Sequence, residues 1–367
     1  TLKQLKIIKN FSFSYTSLLF IFKFINSYFR KRFQKKYKKI NLYSNTYIPH
    51  FFILSIHILN NFRNVFYNYK KINVVCFGEV LFDVFGEDKK IGGAPLNLAL
   101  RTASFGFPVA MISAVGNDED GKVICNYTKE NQVDISGINT TLDYETGIVQ
   151  VTLNERGSAT YEIKFPSAWD YIEANEKTNN IVKNADAFFY GSLVCRNEVS
   201  QKTLFGFLES NPKMFKVFDV NLRKPFYDIE LLERLMYKAD FIKFNDEEIL
   251  EIASGLGFNS DDLEENIRFI SQKTNTPSIC VTLGKYGSIM LWEGKMYHHS
   301  GYPVEVSDTV GAGDSFLASL IAQLLSNNKP EEAMDFASAV GAIVASKPGA
   351  NPLINQSEID KLLGLAH

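Results

Sequence analysis

From Asn73 onward, short and almost wholly apolar runs alternate with longer stretches in which apolar residues recur every third or fourth position. The runs NVVCFG (73–78), PVAMISAVG (108–116), DAFFYGSL (186–193), KMFKVFDV (213–220), ADFIKF (239–244) and PSICVTLG (277–284) predict buried strands. APLNLALRTASFG (94–106) predicts a helix that stops at Gly106, and DEDGKVICNYTKEN (118–131), 312–325 and 330–346 predict others. GIVQVTL (147–153) and ATYEIKF (159–165) differ, because apolar and polar residues alternate on either side of NERGS. That pattern predicts a hairpin with one exposed face. Strands alternating with helices imply an α/β fold: a mostly parallel sheet, helices on both faces, and the hairpin as a small β lid. Ligands in such folds lie at the carboxyl ends of the strands.

Residues 1–72 are of another texture. They hold 14 Lys and Arg but no Asp, Glu, Gly or Ala, and Phe, Lys, Ile, Asn and Tyr supply 47 of the 72. The codons of those five are dominated by A and T, and the chain opens on Thr1 rather than Met. The segment therefore reads as translated AT-rich DNA upstream of a start, or as a fragmentary gene boundary, outside the fold. Three other readings stand beside it. FSFSYTSLLFIF (11–22) followed by RKRFQKKYKK (30–39) has the form of a short anchor with a polybasic patch. The same basic, acid-free composition suits an organelle presequence. Cations interleaved with aromatics suit non-specific nucleic-acid contact.

The remaining 295 residues carry 25 Lys and Arg against 41 Asp and Glu. So acidic a body argues against nucleic acid as its partner, and the composition rules out a polytopic membrane protein and leaves this body no membrane as partner. Cys76, Cys125, Cys195 and Cys280 are widely spaced with no CxxC, which argues against a zinc knuckle or a disulfide framework.

Five motifs carry chemistry. In DTVGAGDSF (308–316), Gly311, Ala312 and Gly313 put small residues where backbone N–H groups and a helix N-terminus converge on an anion. Asp314 lies in the first turn of that helix. A carboxylate repels a phosphate, so its place there suits a general base for an alcohol that attacks phosphorus; the plain alternative is a helix cap. No GxxxxGK[ST] occurs, and GAGDSF lacks the third glycine of GxGxxG. In GEVLFDVFG…KKIGGAPLNLA, Asp83 is placed after the first strand. Asp83, Gly92, Gly93 and Asn97 offer the donors, acceptors and bare backbone that sugar hydroxyls need; a turn-rich loop is the alternative. In FDVNLRK, Asp219, Asn221 and Arg223 follow a strand end, and Arg223 suits a phosphate or a sugar hydroxyl, or a surface ion pair. In KFNDEEIL, Asn245 and Glu248 have the spacing to orient a hydrated Mg²⁺ and equally that of a capping box. In VTLGKYGS, Thr282, Gly284 and Gly287 end a strand, either beside a nucleotide or simply in a turn.

In this order the five motifs resemble the PfkB (ribokinase-like) carbohydrate kinases over roughly residues 73–367, with DTVGAGDSF close to that family's C-terminal signature and GGAPLNLA with VGNDEDG (115–121) close to its N-terminal one. The resemblance implies a ribokinase-like three-layer αβα sandwich with lid elements near 83–92 and 143–166, and ATP-dependent phosphorylation of a sugar hydroxymethyl group. Asp314 would be the base and the Gly311–Gly313 backbone the anion hole. Asp83, Gly92, Gly93, Asn97 and Arg223 would bind the sugar. Asn245, Thr282, Gly284 and Gly287 would face ATP, with Glu248 acting indirectly on Mg²⁺. GE-x-LFD, GGAPLN and the lid segment YEIKFPSAWDYI (161–172) look most like the fructokinase branch. Trp169 there would pack on the sugar or in lid core. Ribose, 2-keto-3-deoxygluconate or a related sugar is the alternative substrate, and an inert sugar-binding relative the alternative of another class.

Two departures stand out. Asp308 and Gly349 match positions of a K⁺ site, but Lys347 stands where some members have Arg. Ser338 replaces an Asn that some ribokinases place near adenine. Lids in the family often pair, which implies a homodimer, and the enzyme is expected in the cytoplasm.

Overall fold

The computed structural model describes residues 71–153 and 159–365, with the side chains of 153–161 not described; the expectations for residues 1–70 and for the NERGS turn lie outside the described residues. Nine strands form one sheet. In chain order they are β1 (Val74–Phe77), β4 (Val109–Gly116), β5 (Val133–Thr141), β8 (Ala187–Gly191), β9 (Phe215–Asp219), β10 (Phe241–Asn245), β11 (Ser278–Thr282), β12 (Ser288–Trp292) and β13 (Lys295–His299). Their spatial order is β13-β12-β11-β10-β9-β8-β1-β4-β5. The seven from β11 to β5 run parallel, and the hairpin β12–β13 adds an antiparallel edge.

The apolar runs are buried on both faces, as parallel strands must be. Val74 and Cys76 of β1 face one core, with Met111, Phe189, Val217 and Phe241. Over that face pack α1 (Ala94–Ser104), α2 (Glu119–Glu130), α8 (Ala312–Leu325) and α9 (Pro330–Ala345). Val75 and Phe77 face the other core, with Phe188, Phe218 and Phe244. That side is covered by α3 (Glu176–Lys183), α4 (Glu198–Ser210), α5 (Ile229–Met236), α6 (Asp246–Gly255) and α7 (Leu263–Thr274). A last helix, α10 (Gln356–Leu362), lies against α9 through Ile359. The result is a three-layer αβα sandwich. All four cysteines are unpaired thiols, three of them buried and Cys125 half-buried.

The lid is a second sheet of four strands: β2 (Leu81–Phe85), β3 (Asp88–Gly92), β6 (Gly147–Leu153) and β7 (Ala159–Ile163), in the order β3-β2-β6-β7. β2 and β6 pair in parallel and the outer pairs are antiparallel. Two short connections lead into it from the body, Gly78–Val80 between β1 and β2 and residues 142–146 between β5 and β6, and the chain returns through Gly93 after β3 and through residues 164–167 after β7. The connection at 142–146 is pinned by Asp118, the N-cap of α2, which accepts from the Gly121 amide and from both the amide and the hydroxyl of Thr146. The carboxylate is thereby held below its usual range, its hydrogen bonds outweighing its partial burial.

One expectation is corrected. Asp83 does not follow the first strand; the chain passes from β1 into the lid, and Asp83 is the middle residue of β2. Beyond the sheet, Tyr302 packs on α9, where its hydroxyl donates to Asp335.

Candidate active site

The carboxyl ends of β1, β8, β9, β10 and β11 point to one side, and the chemistry-bearing residues gather there and at the facing root of the lid. Their focus is the start of α8. Gly311 is its N-cap with φ 74°, and a Cβ there would stand 2.4 Å from the Ala350 carbonyl oxygen, so only glycine fits the turn. The Ala312 amide is satisfied by Thr309, while the amides of Gly311, Gly313 and Asp314 have no carbonyl partner among the described residues. A helix start with spare N–H groups is a ready anion site.

Asp314 stands in that first turn. Its Oδ2 accepts from Asn97 Nδ2 at 2.8 Å, and Asn97 Oδ1 in turn accepts from Asn351 Nδ2 at 2.6 Å. α1 fixes Asn97: the helix begins at Gly93 (φ 107°), and the Asn97 amide bonds back to the Gly93 carbonyl. One turn further on, buried Arg101 donates to Ser315 Oγ of α8 and to the Pro352 carbonyl. Three separated segments are thus locked around one carboxylate. Burial, with Asp219 beside it, pushes the Asp314 carboxyl up to about 6, against the pull of Asn97, Lys243 and Arg223.

Asp83 faces this point from the lid. Gly92 crosses beside it on β3, and a Cβ on Gly92 would stand 2.4 Å from Asp83 Oδ2. Burial pushes Asp83 up to about 6 as well, opposed by Arg223 and Lys90. Exposed Arg223, just past β9, favours the charged forms of Glu79, Asp83 and Asp314 alike.

On the opposite side, Asn245 and Thr282 are register partners at the ends of β10 and β11, with Gly284 (φ 55°) and Gly287 (φ 98°) just beyond. Asn245 and Glu248 form the reciprocal capping box of α6. Glu248 is buried, its Oε2 accepting from the Asn245 amide and its Oε1 from the Leu222 amide. Asp308 accepts from the Val310 and Gly349 amides, which brings both K⁺-site candidates together. Lys347 is turned to Glu358 and the Leu353 carbonyl. Ser338 is buried on α9, its hydroxyl without a hydrogen-bond partner among the described residues.

Trp169 is fully buried, with the Arg196 guanidinium 3.9 Å from its ring centre. Sequence reasoning missed Arg196, Glu79, Arg101, Lys243 and Asn351. For Glu79 the signal was present, a carboxylate next to Gly78 at the first strand's end. The others are identifiable only through contacts between separate elements, 26 residues apart for Arg196 and Asp170 and 254 for Asn351 and Asn97. Among the described residues no group of three or more His, Cys, Asp and Glu could hold a metal ion, and no helix is long and apolar enough to cross a membrane.

A family model described as pfkB family carbohydrate kinase matches residues 56–357. The chain is 28% identical to a probable fructokinase-4 of Arabidopsis thaliana, over 81% of this chain and 98% of that protein. It is 30% identical to a fructokinase of Solanum tuberosum, over 79% of this chain and 95% of the relative. Among solved structures it resembles a fructokinase with bound ATP from Xylella fastidiosa, with a TM-score of 0.73 and 21% identity, covering 80% of this chain and 99% of the other.

Proposed function

Because this chain belongs to the pfkB family of carbohydrate kinases and is thus a sugar kinase, we propose that it transfers the γ-phosphate of ATP to the 6-hydroxymethyl group of D-fructose. The observation that carries the reading is the pairing of Asp314 with spare backbone amides at one helix start. Phosphoryl transfer asks a protein mainly for position and charge. Asn97 occupies Oδ2 of Asp314, so Oδ1 takes the proton of the sugar hydroxyl. As that proton leaves, the sugar oxygen bonds to the γ-phosphorus and the bond to the ADP oxygen breaks. The Gly311, Gly313 and Asp314 amides stabilise the charge on the group in transit. Asp83, Gly92, Gly93 and Asn97 hold the sugar hydroxyls, and Arg223 neutralises the carboxylates around them. Trp169 supports the pocket from behind, through Arg196.

ATP lies along Asn245, Thr282, Gly284 and Gly287. Each Glu248 oxygen already takes one backbone amide and keeps lone pairs for water, so the residue fits a hydrated ion rather than direct ligation. Mg²⁺, when bound, neutralises the phosphates. Asp308 and Gly349 are the K⁺ candidates, and rates with and without K⁺ test them. Dimerisation through the lid is part of the same reading. Its support is that β3 and β7 end the small sheet as edge strands, and sedimentation equilibrium checks it. So is cytoplasmic action, which imaging of the tagged full chain checks.

The test is ATP consumption with fructose, ribose, 2-keto-3-deoxygluconate, tagatose 6-phosphate and adenosine. Selective turnover of fructose is expected. Preference for another of these replaces the substrate, and no turnover from folded protein leaves the inert-relative reading in its place. Asp83→Ala is expected to raise the sugar KM at least ~10-fold with kcat much less affected, since a hydroxyl loses a charged acceptor. An unchanged KM removes Asp83 from the sugar site.

A further inference from the structure

Two buried charges under the site have no part in the chemistry above. Lys243 lies within β10, between the buried apolar residues Ile242 and Phe244. Its ammonium stands 3.3 Å from Asp219 Oδ1, and the two side chains are 9% and 3% exposed. Neither oxygen of Asp219 has a hydrogen-bond partner among the described residues. A Cβ built on Gly313 would lie 3.5 Å from Lys243 Nζ, so the ammonium sits directly beneath the glycine turn. On its other side Asp219 lines a cavity of about 10 Å³ with Glu79, Ser192 and Asn221, enough for one water.

Stability does not account for this pair. A buried ion pair is commonly replaceable by apolar residues at no loss, and the strand is otherwise built of them. Position does account for it. We infer that Lys243 and Asp219 form a counter-charge unit of the transfer site: Lys243 holds positive charge under the glycine turn for the phosphoryl group in transit, and Asp219 fixes that ammonium while the site is empty. The inference rests on the sugar-kinase reading. Lys243 acts through the turn, so it is a positioning residue.

The same two charges act on Asp314 in opposite senses. Asp219 disfavours its ionised form and Lys243 favours it. The other groups facing Asp314 are Asn97 on α1, Glu79 after β1 and Arg223 after β9; Asn97 and Arg223 favour the charge, and Glu79 opposes it.

The test uses the full chain with Lys243→Met, Asp219→Asn and the double variant. Two readouts are taken: kcat against pH with whichever sugar the wild type turns over, and ¹³C NMR titration of labelled Asp carboxyls, with Asp314 assigned by Asp314→Asn. Lys243→Met should move the Asp314 midpoint, and the acid limb of kcat with it, up by about one pH unit; Asp219→Asn should move both down by a similar amount. The double variant removes both charges and should fold even where a single one does not. Its midpoint should return near the wild-type value while kcat falls at least ~10-fold and the sugar KM stays within about two-fold. A double variant with wild-type kcat, or single-variant midpoints that do not move apart, overturns the inference. With no sugar turned over by the wild type, the kinase reading falls and the NMR titrations decide alone: opposite shifts sustain the charge unit, and any other result overturns it.

Discussion

Asp314→Asn is expected to lower kcat at least ~10²-fold while sugar and ATP still bind, since a positioned base contributes about 10²–10⁴-fold. Asparagine keeps the size of the side chain and an oxygen that can accept from Asn97, so the lock between α1 and α8 survives. What goes is the proton acceptor. The wild-type pH profile carries the same signature. Burial pushes Asp314 up to about 6, and a base works only when ionised, so kcat falls as pH drops through about 6. In Asp314→Asn that limb disappears. Coupled measurement of ADP release between about pH 5 and pH 8 reads both effects; a variant within ten-fold of wild type would refute the base.

The largest loss of stability is expected from Asp170→Ala. Asp170 and Arg196 form a two-point pair, Nε to Oδ1 at 2.6 Å and Nη2 to Oδ2 at 2.7 Å, with side chains 0% and 1% exposed. Asp170 Oδ2 also accepts from the Ser167 amide, and Arg196 donates to the Lys164 carbonyl. Trp169, Phe165 and Phe226 surround the guanidinium within about 5 Å. Removing the carboxylate strands a buried cation among those rings, which costs about 3–5 kcal/mol. Urea unfolding followed by circular dichroism measures it, and a loss under about 1 kcal/mol would show the pair to be dispensable. Replacing both partners together, Asp170→Leu with Arg196→Met, should recover most of the loss. The pair joins the segment that returns from β7 to the turn after β8, so the weakened protein should also hold its lid less firmly.

The buried strands were legible because each is covered on both faces and so reads as one apolar run. The strands that escaped notice lack that pattern for physical reasons. β3 is DKKIG, an edge strand exposed over most of its length, and it needs no apolar face. β5 is also an edge strand, and its run VDISGINTT mixes polar and small residues. β12 and β13 meet across Glu293 and Gly294, both at positive φ, a turn whose Gly was visible but went unread. The motif glycines and Asp314 were legible because the turn chemistry that demands them is local. Lys243 was not, since nothing in KFNDEE says that the Lys points under a turn some 70 residues later. Nor were Arg196 and Asp170, whose side chains are enclosed only by the fold.

The fold closes on itself across great lengths of chain. Asn73, just ahead of β1, meets Asp186 113 positions on, Asn97 meets Asp314 217 positions on, and Asn351 meets Asn97 across 254. β1 lies in the interior of the sheet, yet one of its two neighbours, β8, is made more than a hundred residues later. At translation rates of about 5–20 residues per second, the emerging chain must hold its central strand half-paired for many seconds. Such a protein gains its activity only at the end of its synthesis. Ribosomes that release early, before Asn351, give products that carry every named motif and yet leave Asn97 without its partner.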